Sequence, residues 1–296
     1  VGCGAVCCKA ALQAASLNPG QSAPWASIAG LYEMHGQMEQ ALDTYEKGLV
    51  IEPANAALLV SIGDLYREQG NVEQALGSCI TATQVSPASG KAWIALGNEY
   101  VRRGEQQEAR AAFARAAEVE PSYAQAYVRL GDLAMARGDW DQAEADYQQA
   151  MAANAGDATG PIRLALLNRE RNDWAAALQW FEAAPEADPR SVEALVALGK
   201  AREQRGDRPG AEAAYRQAIA VQPASLDAHV ALASLYRSQG QFQQAEEIYR
   251  QAVADTYGDP LAAIYLGDFY RSVARLDEAS ALYQQAVAQN TGGARA

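Results

Sequence analysis

The strongest constraint on this chain is an internal period. Small residues recur every 34 positions, at Ala29, Gly63, Gly97, Gly131, Ala165, Gly199, Ala233 and Gly267. A second series at the same spacing is alanine throughout, at Ala41, Ala75, Ala109, Ala143, Ala177, Ala211, Ala245 and Ala279. A third reads Tyr45, Cys79, Phe113, Tyr147, Phe181, Tyr215, Tyr249 and Tyr283, with Cys79 the one position that lacks a ring. A period kept without insertion over eight copies points to a solenoid, in which each unit buries its apolar faces on its neighbours and not in one central core.

Within a unit the apolar spacing is helical. Trp93, Leu96, Gly97 and Tyr100 share one face, Gly104 interrupts, and Ala109, Ala112, Phe113 and Ala116 share the next. The interruption carries Gly36, Gly70, Gly104, Gly138, Gly206 and Gly240, which accept the positive φ that ends a helix. Pro53, Pro87, Pro121, Pro189 and Pro223 then stop the second helix. The small residues predict close approach of the two helices of a hairpin, and the rings are expected to fill the wedge between neighbouring hairpins.

The segment Trp93-Ile94-Ala95-Leu96-Gly97-Asn98-Glu99-Tyr100, followed by Ala109, Phe113 and Pro121, resembles the tetratricopeptide repeat signature. The resemblance covers eight units from about Ser22 to Asn290. It implies an all-α, right-handed superhelical solenoid of helix-turn-helix repeats and a protein-interaction scaffold. The fifth unit departs from the signature at Pro161, Asn168 and Asn172 and follows the loose stretch Asn154 to Gly160, so a hinge is expected near residues 154–161. Residues 1–19 fall into phase through Gly2, Cys7, Ala14 and Pro19 and read as the second helix of an incomplete repeat. Asn290 is expected to close the last helix, with residues 291–296 as a disordered tail. Both ends read as cut, which suggests a piece of a longer chain.

Composition narrows the partner. The net charge of −12 disfavours nucleic acid and anionic lipid and favours a basic or mixed apolar polypeptide. No apolar run could insert into a bilayer, and the start lacks the pattern of a secretory signal. Cys3, Cys7, Cys8 and Cys79 show neither zinc-site nor disulfide-framework spacing and read as reduced thiols. A cytoplasmic location is expected, the alternative being the extracytoplasmic part of a membrane-anchored protein.

Catalysis finds no footing in the sequence. His35 and His229 sit in different repeats, so a nucleophile, imidazole and carboxylate would have to meet across distant hairpins. His229 stands where other units have Trp25, Trp93 or Tyr127 and reads as packing, and His35 as a solvated helix end. Glu39, Glu73, Glu108, Asp141 and Glu144 fall early in second helices, where they complement the helix dipole. No phosphate-binding glycine motif is present. The chain is expected to be non-catalytic and to need no cofactor or metal.

The candidate site is the inner face, which in resembling proteins is lined by the first helices. One phase there reads Ala26, Val60, Ile94, Val128, Ile162, Val196, Val230 and Ile264. A second holds Gly30, Asp64, Asn98, Asp132, Leu166, Lys200, Ser234 and Asp268. A third holds Glu33, Arg67, Val101, Met135, Arg169, Glu203, Arg237 and Arg271. An apolar ridge flanked by polar stripes suits a groove for a partner peptide or helix. Asp64, Arg67, Asn98, Arg129, Asp132, Arg163, Arg169, Arg237 and Asp268 are the candidate specificity residues. The β-branched row has a second reading, in which it only packs between adjacent first helices. The arginines have one too, as solvated surface. Family members that clamp a C-terminal carboxylate use Lys and Asn on these stripes, and here the lysine row is apolar. The other function class is a non-catalytic regulatory or targeting arm of a larger membrane-anchored or glycosyltransferase-type protein.

Overall fold

The computed structural model describes residues 20–293. The expected half-repeat at 1–19 lies outside the described residues, as do residues 294–296. Sixteen α-helices form eight antiparallel hairpins among the described residues. The chain divides into two compact units, Val1–Asn154 and Ala155–Ala296. In the first, the hairpins are α1 (Ala23–Met34) with α2 (Met38–Ile51), α3 (Ala56–Glu68) with α4 (Val72–Val85), α5 (Gly90–Arg103) with α6 (Gln106–Val119), and α7 (Ala124–Ala136) with α8 (Trp140–Ala153). In the second they are α9 (Thr159–Glu170) with α10 (Trp174–Ala187), α11 (Val192–Gln204) with α12 (Arg208–Val221), α13 (Leu226–Ser238) with α14 (Phe242–Asp255), and α15 (Pro260–Ser272) with α16 (Leu276–Gly293). The backbone of α16 continues through Gly293, past Asn290 where the sequence suggested a stop.

Every turn inside a hairpin places one residue in the left-handed region. The expected glycines do so, Gly104 at φ +76°, and so do Asn172 and Ala274 at +60° in the two repeats without glycine there. The turn is closed alike with and without glycine. Glu105 N–H donates to Tyr100 O at 2.9 Å, and Asp173 N–H to Asn168 O at 2.9 Å. Asparagine tolerates this geometry, whereas alanine carries the full Cβ penalty. Pro161, a departure in the fifth repeat, lies in the first turn of α9, where a missing N–H costs nothing. Buried Asn168 donates its Nδ2 to Leu164 O at 2.8 Å and so satisfies itself locally.

Second helices end two residues before Pro53, Pro87, Pro121, Pro189 and Pro223. α8 and α14 end at the same phase without proline, so proline reinforces a stop that tertiary packing already sets. Several first helices are capped by side chains, as where Ser191 Oγ accepts from Ala194 N–H at 3.1 Å.

The rings face the next hairpin, Tyr45, Phe113 and Phe181 sharing core clusters with Leu58, Leu133 and Leu198, and they also close their own. Phe113, Tyr147 and Tyr215 lie over Gly97, Gly131 and Gly199 of their own hairpins, so closely that a Cβ at any of these glycines would run into the ring. At these positions the ring closes the hairpin from inside, and the residue beneath it is small because a ring sits on it. Neighbouring hairpins are joined by polar groups as well. In the second unit Tyr236 of α13 donates to Glu212 at 2.6 Å and accepts from Arg216 at 2.7 Å, both on α12. The same triad recurs one repeat on, where Tyr270 meets Glu246 at 2.9 Å and Arg250 at 3.1 Å and carries Arg275 over its ring at 4.1 Å.

Three glycine-type substitutions separate these effects in urea denaturation. Gly77 in α4 is exposed and a Cβ there would meet open space, so Gly77→Ala is expected to add about 0.5–1 kcal/mol. Gly131→Ala has the same intrinsic gain but strikes the buried Tyr147 ring, and a net loss of about 1–3 kcal/mol is expected. Ala274→Gly should gain about 1 kcal/mol by relieving the left-handed backbone.

Candidate functional site

The first helices of successive repeats touch one another, α3 with α5 in the first unit and α9 with α11 and α11 with α13 in the second. This juxtaposition decides the fate of the β-branched row. Val60, Ile94, Val128, Ile162 and Val196 are only 4–6% exposed and belong to inter-helix core clusters, Val60 with Ala92 and Ile162 with Ala194. Val230 is half-buried, and Ile264 reaches 36% exposure. For the five buried members the packing reading describes the structure, because a β-branched side chain on one first helix lies against the next. They form a floor and not a protruding ridge, and the exposed chemistry falls to the polar stripes.

In the first unit these stripes are tied into a network. Arg67 donates to Asp64 on its own helix and reaches Glu99 on α5 at 3.3 Å, and Glu99 also takes Arg102. Glu99 is 2% exposed, a buried carboxylate held between two guanidinium groups. It lies outside the three first-helix stripes that the spacing marks out. Its signal lies at a fourth phase, where Leu31, Leu65 and Leu133 are the neighbouring entries and a carboxylate stands out. Beside this network lies a cavity of about 310 Å³ lined by Asp64, Arg67, Lys91, Asn98 and Arg102 over Val60 and Ile94. Further along, Asp132 accepts from the Tyr147 hydroxyl at 3.0 Å and lies 3.7 Å from Arg129.

In the second unit the same tyrosine device recurs, with Tyr215 donating to Glu203 at 3.0 Å and Tyr283 to Asp268 at 2.8 Å. Burial, then the Glu203 carboxylate, raises the Tyr215 phenol above its ordinary range. Asp268 also takes Arg271 at 3.0 Å, and Arg169 pairs with its neighbour Glu170 at 3.1 Å. Arg163 is half-buried on α9, and Arg237 stands exposed near the end of α13. A second cavity, of about 570 Å³, lies among α9, α10, α11 and α13, with Ile162 and Val196 in its lining and Arg169 and Lys200 at its edge. Of the candidates, Val60, Asp64, Arg67, Ile94 and Asn98 line the cavity of the first unit and Ile162, Arg169 and Val196 that of the second, whereas Val128, Arg129, Asp132, Arg163, Val230, Arg237, Ile264 and Asp268 line neither. Asp132 and Asp268 are fixed by tyrosines that the sequence reading treated as apolar filler.

His229 is fully buried with Nδ1 2.8 Å from Ser225 O and Nε2 3.5 Å from Asp255, which fits the expected packing role, and His35 is exposed at the end of α1. Burial pushes the Cys79 thiol up to about 12, so it is not a thiolate at neutral pH. No group of His, Cys, Asp and Glu among the described residues could hold a metal ion. No helix among the described residues is long and apolar enough to cross a membrane.

A family model described as tetratricopeptide repeat matches residues 60–127, 94–158, 128–192, 196–260 and 230–294. No curated protein sequence matches the chain. Among solved structures it is similar to yeast Tom70, at 15% identity and a TM-score of 0.70, over 96% of this chain and 58% of that one. It is also similar to a chain of the APC/C hetero-tetramer Cut9-Hcn1, at 18% identity and a TM-score of 0.53, over 88% and 51% of the two chains. A tetratricopeptide repeat protein from Parabacteroides merdae matches at 18% identity and a TM-score of 0.53, over 83% of this chain and 97% of that one. The chain therefore spans between half and three-fifths of the first two structures, and identities this low establish shared fold alone.

Glu99→Gln keeps the shape of the buried carboxylate and removes its charge. A loss of about 1–3 kcal/mol is expected from the broken charge-assisted bonds to Arg67 and Arg102, read as a lower urea midpoint. The loss should disappear when Arg67 and Arg102 are also replaced by methionine, because no guanidinium then lacks a partner.

Proposed function

We propose, from the premise that this chain belongs to the tetratricopeptide repeat family, that each of its two units holds a partner polypeptide against the face of its first helices. The chain is a protein-interaction scaffold, as its family implies. The finer reading, a peptide or helix seated in that face, is carried by one observation. In each unit a cavity opens on the first-helix face, floored by buried β-branched residues and edged by charged groups of both signs. That combination supplies area from the floor and register from the rim.

The mode is one of side-chain recognition. The described residues form helices that spend their backbone donors and acceptors internally, so among them there is no sheet edge on which a partner strand could pair. Val60, Asp64, Arg67, Ile94, Asn98, Val128, Arg129 and Asp132 would form the contact face of the first unit. Ile162, Arg163, Arg169, Val196, Val230, Arg237, Ile264 and Asp268 would form that of the second. The net charge of −12 favours partners with basic residues and speeds their encounter at low salt.

The test is capture from native lysate with the full chain against an Asp132→Asn, Arg237→Glu variant, read by mass spectrometry. Asparagine keeps an acceptor for the Tyr147 hydroxyl, and Arg237 is exposed, so the fold should survive with an unchanged melting temperature. A partner held by the parent and lost by the variant is the expected result. Equal capture by both would move the working surface off the first-helix face.

A further inference from the structure

We infer that the unit Ala155–Ala296 contains a side-chain pocket for a peptide that carries a large apolar residue between a basic and an acidic one. This rests on the reading of the first-helix face given above and names the chemistry of one place on it. One helical phase reads Leu31, Leu65, Glu99, Leu133, Leu167, Ala201, Leu235 and Phe269. Leu65, Leu133, Leu167, Leu235 and Phe269 are all buried, so this phase normally fills the hairpin interior with a large side chain. Ala201 on α11 leaves that space short of a leucine side chain, and Ala201 lines the cavity of about 570 Å³. Its size is that of ligand pockets.

One more departure from the repeat, at Leu166, falls at the same spot beside the small Ala197. Ala197, small like Ser27, Ser61, Ala95 and Ala231 at the same phase and unlike Arg129 and Arg163 in the two preceding repeats, sends no long side chain across the opening. Leu166 occupies the stripe where earlier repeats have Asp64, Asn98 and Asp132, which makes an otherwise polar wall apolar. With Ile162, Phe181 and Val196 these residues form an apolar bowl.

The rim has a direction. Glu193 and Asp227 lie in the first turns of α11 and α13. Lys200 lies two turns further along α11, and Arg169 in the last turn of α9. Seven residues separate Glu193 from Lys200, about 10 Å of helix rise. A first-turn carboxylate complements the helix dipole, which accounts for each acid singly. It does not account for two of them on one edge of an apolar bowl facing cations on the other. Among the described residues Glu193, Lys200 and Asp227 form no ion pair, so their charges are available to a ligand. An extended peptide spans about 10 Å in three residues. A basic group against Glu193 and Asp227, an acidic one against Lys200 and Arg169, and a large apolar side chain in the bowl would satisfy all of these features at once.

The experiment selects a random displayed dodecapeptide library on the full chain. The enriched consensus is then synthesised and its affinity measured by fluorescence anisotropy. Expected is a consensus with a large apolar residue between a basic and an acidic one. Its affinity should fall about tenfold or more, the loss of a buried anchor, for Ala201→Leu and for Glu193→Lys with Asp227→Lys. Melting temperature is followed for each variant. Should leucine overpack and destabilise the unit, the surface double variant decides. A consensus of other chemistry, or affinity unchanged in the deciding variant, overturns the pocket. If that peptide is instead lost with Asp132→Asn, Arg237→Glu, the first-helix face survives as the working surface and the pocket does not. Absence of any enriched peptide counts against both.

Discussion

An aromatic ring lying on a residue without a side chain holds each of the best-formed hairpins shut. At Gly97, Gly131 and Gly199 the space that a Cβ would take belongs to Phe113, Tyr147 and Tyr215. Glycine is a poor helix residue, costing about 1 kcal/mol against alanine. Its presence there shows that ring contact outweighs helix propensity. The rest of the architecture follows from this closure, because two helices held so close leave their other faces to neighbouring hairpins. Stability then passes from unit to unit through local interfaces such as Glu212–Tyr236–Arg216, and not through one shared core.

The hydroxyl of that same ring links fold to surface. Tyr147 and Tyr283 cross the hairpin interior and donate to Asp132 and Asp268 on the polar stripe. A phenylalanine such as Phe113 closes the hairpin equally well but cannot orient a carboxylate. The choice between Tyr and Phe at one phase therefore decides which stripe residues are held and which are free to move toward a partner.

How much of this was legible in the sequence varies with the kind of fact. The period, the hairpins and the left-handed turn positions follow from residue spacing, since backbone geometry admits few alternatives where Gly104 or Gly206 recurs in phase. Spacing gave a row of β-branched residues on the first helices but not their burial. That depends on how near the next first helix lies, a distance set by side chains in another repeat. The aromatic series meets the next hairpin as its phase suggests, but its closure of its own hairpin was not legible for the same reason: a phase gives direction about one helix axis, not every neighbour that is met. Glu99 and the tyrosine hydroxyls went unread because they break no periodic rule of the phases being followed.

Departures from a repeat carry information that the repeat itself does not. At the phase running from Leu31 to Phe269 two entries differ in kind, Glu99 and Ala201, and each lies beside one of the two cavities. Glu99 brings its own compensation in Arg67 and Arg102. Ala201 brings none, and removal of a buried leucine costs about 2–5 kcal/mol where the surroundings do not collapse. In a globular core, rearrangement could spread over many neighbours. In a linear array, each repeat answers only to the two beside it, so the hollow stays where the sequence puts it. A ligand side chain that fills such a hollow recovers part of that loss, and binding and the stability of the unit Ala155–Ala296 become two readings of one equilibrium.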